Sequence, residues 1–148
     1  MSCETWHDYG YGVITSDINK EELTAEKLDA LIKLSPDFYE SVKEFFEECE
    51  IVEPTVDDYL ELEDDACIRG LHYILREVIH DVEDIELLAC EDFNGQKYLI
   101  YPPLYPWQMN EIDHKVTKPF LNEIFNKYIG MICDTVPDID VQSCENRG

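Results

Sequence analysis

The sequence predicts an α+β fold in which about four helices pack on a small, mainly antiparallel β-sheet. Two observations support this prediction: apolar residues recur at helical spacing in several segments, and Asn94-Gly95 separates two strand-like runs. A length of 148 residues is enough for one hydrophobic core, and no linker or internal repeat divides the chain. We therefore expect a single domain over residues 1–148.

The first half of the chain is predicted to contain a short strand and three helical segments. The strand candidate covers 11–15 and follows a Gly-rich turn. Apolar residues at helical spacing between Leu23 and Leu34 indicate a helix that either Asn19 or Thr24 caps, and Ser35-Pro36 separates it from the next one. A capped segment, either a short helix or a loop, is expected over 55–65, and a longer helix over about 66–81.

The segment 37–50 is predicted to be an amphipathic helix with one apolar and one acidic face. Spacings of three and four residues place two sets of side chains on opposite sides of this helix. The apolar set comprises Phe38, Val42, Phe45 and Cys49. The acidic set comprises Glu40, Glu44, Glu47 and Glu48. This helix is therefore expected to present a row of carboxylates to solvent.

The second half of the chain is predicted to complete the sheet and to add a last helix. A β-hairpin is expected at 85–101, because both Asn94 and Gly95 accept the positive φ of a tight turn. An aromatic and proline-rich loop over 102–107 cannot continue the ladder. A helix capped by Thr117 follows, and 139–142 alternates like a closing strand.

The net charge of the chain excludes several classes of partner. Eleven Lys and Arg stand against 34 Asp and Glu, which gives −23. Nucleic-acid phosphates and anionic lipids repel such a body, so we expect neither to bind it directly. No apolar run is long enough to span a membrane, and the first residues do not resemble a secretory signal. Six scattered cysteines without a C-x-x-C pair indicate free thiols and a cytoplasmic protein.

The sequence contains no signature of catalysis or of a dedicated cofactor or metal site, so none of these is predicted. The Gly-rich stretch 9–12 lacks the lysine of a phosphate-binding loop, which favours a turn. His72, Arg76 and His80 follow one stripe of the helix predicted at 66–81. This stripe is interpreted as a solvated face, because Arg76 would repel a metal cation. Four neighbouring acids lack the spacing of a calcium loop: Glu61, Glu63, Asp64 and Asp65.

The acidic residues are concentrated in one segment of the chain. Residues 37–92 carry 20 Asp and Glu against three Lys and Arg. Carboxylates four residues apart on a helix are separated by about 6 Å along its axis, which is comparable to the spacing of phosphates on a nucleic-acid strand. The segment therefore predicts a phosphate-like track for a basic partner, although acidity that only aids solubility is an equal alternative. The predicted partner-binding residues are Glu40, Glu44, Glu47, Glu48, Asp57, Asp58, Glu61, Glu63, Asp64 and Asp65.

Three stretches, 9–12, 94–98 with Tyr105-Pro106-Trp107, and 140–146, resemble small uncharacterised acidic proteins of Gram-positive bacteria and their phages. The profile of a small, strongly acidic chain also resembles phage anti-defence inhibitors, especially anti-CRISPR proteins that mimic DNA. This resemblance implies an inhibitor that occupies the PAM-reading groove of a Cas9-type effector nuclease. The alternative is a phage or bacterial structural or small-ligand-binding protein whose acidity is incidental.

Overall fold

The computed structural model describes residues 5–65, 68–101 and 117–147 and has the α+β architecture that the sequence predicts. In these residues the α-helices, α1 to α5, are Ala25–Ile32, Pro36–Glu48, Val56–Leu60, Leu71–Glu83 and Lys118–Gly130. The strands, β1 to β4, are Thr5–Ile14, Leu88–Glu91, Lys97–Tyr101 and Asp140–Arg147. The predicted loop at 102–107, His114, and Cys67 lie outside the described residues.

The four strands form one antiparallel sheet in the order β2-β3-β1-β4. Strand β1 lies in the interior of the sheet, pairing with β3 through Tyr11↔Tyr101 and with β4 from Thr5↔Arg147 onward. The strand predicted at 11–15 is therefore the end of a much longer strand. The closing strand predicted at 139–142 likewise extends to residue 147.

The Gly-rich stretch 9–12 belongs to β1, so the turn predicted there is wrong. Gly10 and Gly12 lie where β1 passes close to β3. A Cβ at Gly10 would collide with the carbonyl oxygen of Tyr101, and one at Gly12 would collide with that of Leu99. The glycines are required for close backbone approach rather than for a change of chain direction.

Strands β2 and β3 form the predicted hairpin, but its turn differs from the predicted one. Gly95 has φ of 84°, whereas Asn94 does not adopt a positive φ. The N–H of Gly95 donates to the carbonyl oxygen of Asp92 at 3.0 Å, and the N–H of Asp92 donates to that of Gln96 at 2.9 Å. The Asp92 carboxylate also accepts from the N–H groups of Asn94 and Gln96. This side chain favours a three-residue loop over the expected two-residue turn.

The main hydrophobic core lies between the sheet and the helices, with α4 packed on β2 and β3 and α5 packed on β1 and α4. Full burial of each large apolar side chain contributes about 1.5–3 kcal/mol. Side chains with no exposed surface include Leu28, Leu31, Ile32, Ile74, Leu75, Leu99, Phe125 and Ile129. Local capping sets the helix starts, as when the Thr24 and Thr117 hydroxyls accept from the N–H groups of Lys27 and Phe120.

Helix α2 buries a different apolar set from the one that the sequence predicts. Phe38 and Val42 are buried as expected, but Phe46 replaces Phe45, which is 44% exposed. Cys49 is also exposed. A tertiary contact accounts for this difference in burial. The ring of Phe46 packs edge-on against the ring of Tyr59 of α3, with 5.2 Å between the ring centroids. Packing against α3 therefore rotates the buried face of α2 toward Phe46.

The predicted solvated stripe of α4 is wrong for His72, which is only 1% exposed. The helix begins at Leu71 rather than at 66, after Gly70 with φ of 121°. The Lys97 ammonium of β3 lies near the imidazole, and its charge helps to lower the pKa of His72. Arg76 is partly buried and pairs with Asp64 at 2.7 Å, whereas His80 is exposed.

We expect Gly12→Ala to lower the free energy of unfolding by roughly 1–3 kcal/mol, because the new methyl group would displace β3 backbone. Chemical denaturation of both proteins measures this difference. Gly130→Ala is the matched control, since a Cβ at Gly130 meets nothing within 4 Å and alanine favours the helix. Equal effects of the two substitutions would contradict the close approach of β1 and β3.

Burial of His72 makes the stability of the fold depend on pH. Desolvation and the neighbouring Lys97 and Arg76 lower the pKa of His72 to about 4, from 6.5 in the unfolded chain. The unfolded state therefore binds a proton first as the pH falls, which destabilises the fold between pH 6.5 and 4 by about 3 kcal/mol. We expect the difference in unfolding free energy between the wild type and His72→Gln to change over this interval. A constant difference would show that the imidazole titrates normally.

Candidate functional site

The outer side of α2 carries four carboxylates, Glu40, Glu44, Glu47 and Glu48, which we call the acidic face. All four are exposed. In the described part of the chain, no Lys, Arg or His comes within 4.0 Å of them to form an ion pair. Like charges at this spacing repel one another and weaken the helix, so the acidic face costs stability rather than adding to it.

The remaining predicted partner-binding acids divide into two groups. Asp57, Glu61 and Asp65 are exposed, like the acidic face. The other three stabilise local structure: Asp58 closes a capping box with Thr55, Glu63 pairs with Arg69 at 3.1 Å, and Asp64 accepts from Arg76 and from the N–H of Ile68. The continuous phosphate-like track expected over 57–65 is thus interrupted by acids that are already engaged.

Folding creates an acidic cleft that the sequence does not reveal. A cavity of about 450 Å³ lies between the start of α2, the segment 63–65 and α4. Its acidic side chains are Asp37, Glu63, Asp64, Asp65, Glu77 and Asp81. Among the described residues, no group of three His, Cys, Asp or Glu side chains is arranged to hold a metal ion. The cleft is therefore a negatively charged surface.

A groove of about 500 Å³ lies on the other side of α2, between this helix and the chain that follows it. Its wall is aromatic and aliphatic, with Tyr39, Phe46, Ile51, Val52 and Tyr59. Three acids, Asp29, Glu47 and Glu50, and one lysine, Lys43, also line the groove, so its rim is acidic on balance. Glu47 belongs to both the groove and the acidic face, so the two surfaces are continuous. An apolar wall with a carboxylate rim suits a Lys or Arg side chain, whose stem is apolar and whose tip is charged.

The chain itself shows how the groove rim holds a cation. The Lys33 ammonium lies 2.9 Å from the Asp29 carboxylate and 5.7 Å from the centroid of the Tyr39 ring. The hydrogen bond to Asp29 raises the pKa of Lys33. Burial raises the pKa of Tyr59 to about 12, so its hydroxyl stays protonated and donates to Asp29 at 3.5 Å. Carboxylate and aromatic ring thus act together on one ammonium.

Helix α2 ends in a left-handed residue that is not glycine. The N–H of Ile51 donates to the carbonyl oxygen of Phe46 at 2.9 Å, as in a Schellman motif. Glu50 occupies the left-handed position with φ of 59°, where glycine is usual. Such a backbone costs roughly 1–2 kcal/mol for a residue with a Cβ. The strained position gives the groove rim a carboxylate that glycine would not supply.

Sequence reasoning missed the acids that other elements bring to α2, namely Asp29 from α1 and Glu77 and Asp81 from α4. Comparison with protein-family models, with curated protein sequences and with solved structures found no match. No helix in the described residues is both long and apolar enough to cross a membrane.

We expect Glu50→Gly to raise the free energy of unfolding by about 1 kcal/mol, because glycine adopts the left-handed conformation without strain. Thermal or chemical denaturation measures the change. Glu53→Gly is the matched control: it removes the same charge in the same exposed segment, but Glu53 has no positive φ. We expect this control to be neutral or destabilising, since glycine adds freedom to the unfolded chain. A stabilising control would assign the gain to charge instead of backbone strain.

Proposed function

We propose that this chain is an acidic inhibitor that binds a basic, nucleic-acid-binding protein and keeps nucleic acid from the same surface. The observation that supports this proposal is the unpaired acidic face, flanked by the acidic cleft and by the carboxylate-rimmed groove. A surface that needed acidity only for solubility would not require a concentration of carboxylates around one helix.

The electrostatics favour fast association with a basic groove. A chain with a net charge of −23 attracts a positively charged partner over a distance that depends on ionic strength. Contact then replaces the phosphates of a nucleic acid with the carboxylates of the acidic face. Complementary charge of this kind raises the association rate and makes it sensitive to salt.

The groove offers an apolar contact in addition to the electrostatic attraction of the acidic face. Tyr39 and Asp29 already hold the ammonium of Lys33 at its edge. An arginine or lysine of the partner would place its stem against Tyr39 and Val52 and its charged tip at Glu47 or Glu50. Arginine binds carboxylates through two parallel hydrogen bonds, which adds geometric selectivity.

The finer proposal is an anti-CRISPR protein that occupies the PAM-reading groove of a Cas9-type effector nuclease in the bacterial cytoplasm. Such effectors read a short DNA motif with arginines and hold nucleic acid in a basic channel, the surface that an acidic protein complements. The acidic profile of this chain and its resemblance to DNA-mimicking inhibitors support this choice.

A second candidate function is a structural or small-ligand-binding protein whose acidity is incidental. The engagement of Asp58, Glu63 and Asp64 in caps and ion pairs favours this alternative, because these acids have a role without any partner. This alternative predicts that the protein does not bind basic proteins at any salt concentration.

We expect reversal of Glu40, Glu44, Glu47 and Glu48 to Lys to weaken binding to the effector by at least about 100-fold, since facing like charges cost several kcal/mol. Binding and protection of target DNA are measured with guide-loaded effector nucleases at low and high salt, and circular dichroism checks the fold. The control reverses four exposed acids elsewhere, with the same change in net charge: Glu21, Glu26, Glu123 and Asp138.

The control is expected to retain most of its binding and inhibition. Unchanged inhibition by the variant of the acidic face would overturn the proposal. An equal loss in both variants would also overturn it, because total charge rather than this surface would then determine binding. Absence of binding by the wild type to every basic effector tested would favour the second candidate function.

A further inference from the structure

The groove beside α2 already has a basic side chain at its rim, and the chain itself supplies it. The Lys33 ammonium lies 2.9 Å from the Asp29 carboxylate and 5.7 Å from the centroid of the Tyr39 ring. Asp29 and Tyr39 line the groove, whereas Lys33 does not. A carboxylate and an aromatic ring that act on the same ammonium form a cation site. Lys33 therefore marks the place where a cation binds at this rim.

The contact of Lys33 with this rim is easily broken. Lys33 and Asp29 lie four residues apart at the end of α1, and their side chains are 56% and 34% exposed. Ion pairs exposed to this degree contribute little to stability, because water and salt screen them and both side chains lose freedom when they pair. Another cation can therefore take the place of the ammonium without disturbing the core.

The groove offers an incoming side chain contacts that Lys33 does not use. Its volume of about 500 Å³ lies within the range of pockets that bind ligands, about 300–1,000 Å³. Val52, which is 91% exposed, provides open apolar surface. Glu47 and Glu50 outweigh the charge of Lys43, and neither forms an ion pair with the described residues. A basic side chain that enters from outside thus meets an apolar wall and further carboxylates.

We propose that the groove receives an arginine of the basic partner and that this arginine displaces Lys33 from Asp29 and Tyr39. A guanidinium suits the site better than an ammonium, because it pairs with a carboxylate through two parallel hydrogen bonds and stacks on an aromatic ring. Lys33 acts as an internal competitor that lowers the affinity of the groove for any external cation. This assignment rests on the proposed function, because the arginine belongs to the basic partner proposed there.

The full chain is titrated with N-acetylargininamide while its resonances are followed by NMR. We expect saturable shifts of groove residues, with a Kd on the order of millimolar for so small a ligand. At saturation, the side-chain protons of Lys33 should lose the ring-current shift that Tyr39 imposes. Lys127 is the internal control, since it lies 3.5 Å from the Glu83 carboxylate and 5.1 Å from the Tyr128 ring centroid, away from the groove. Its side-chain resonances should not change.

Two further ligands and two variants test the assignment. N-acetylcitrullinamide, which has a similar shape without the charge, and N-acetyllysinamide are both expected to bind more weakly. Lys33→Gln should bind N-acetylargininamide about three- to fivefold more tightly, because no ammonium then occupies the site and the exposed pair is weak. Lys127→Gln removes an equal charge from a similar carboxylate and ring and should keep the wild-type affinity.

Shifts that do not saturate, or equal affinity for the three ligands, would overturn the inference. It would also be overturned by Lys33 resonances that stay fixed at saturation, or by equal affinity of Lys33→Gln and the wild type. The titration contains no effector nuclease, so its outcome is separate from that of the charge-reversal experiment. A wild type that binds an effector but not N-acetylargininamide would overturn this inference and leave the proposed function intact. The converse result would leave the arginine site intact and overturn the proposed function.

Discussion

Mutual repulsion among 34 carboxylates is the constraint that every part of this structure has to accommodate. Two of the cations in the described residues join separate segments of the chain. Arg76 joins α4 to Asp64, and Lys127 of α5 reaches Glu83 of α4. Hydroxyl groups also hydrogen-bond to acids at such junctions, since Ser35 donates to Asp81 and Tyr128 donates to Glu83. These acids are thus neutralised or hydrogen-bonded at internal junctions, whereas the acidic face of α2 forms no ion pair with any of the described residues.

The region around α2 combines an aromatic groove with carboxylates that form no ion pair in the described part of the chain. It is the surface for which we propose a basic partner. Solvent and salt screen charges that are far apart, so this local arrangement matters more to a partner than the net charge of −23.

Local signals in the sequence were sufficient for most of the secondary structure. Thr24, Pro36 and Thr117 start helices through capping or a preset φ, which requires no knowledge of distant residues. Burial was harder to predict, because Phe46 and His72 are covered by elements that periodicity does not reveal. The acidic face was predictable from helical spacing alone. The groove could not be predicted in this way, because its rim forms only when α1 brings Asp29 against α2.

The sheet connects regions that are far apart in sequence. Its interior strand β1 comes first in the chain, and its neighbour β4 comes last, with Thr5 opposite Arg147. A nascent chain cannot assemble this pair until residue 147 has left the ribosome, so the helices are made well before the sheet can close. Closure over so long a loop is slow compared with helix formation. During synthesis, the long β1 edge therefore stays without its β4 partner, and the acidity of the chain helps to keep copies apart through that interval.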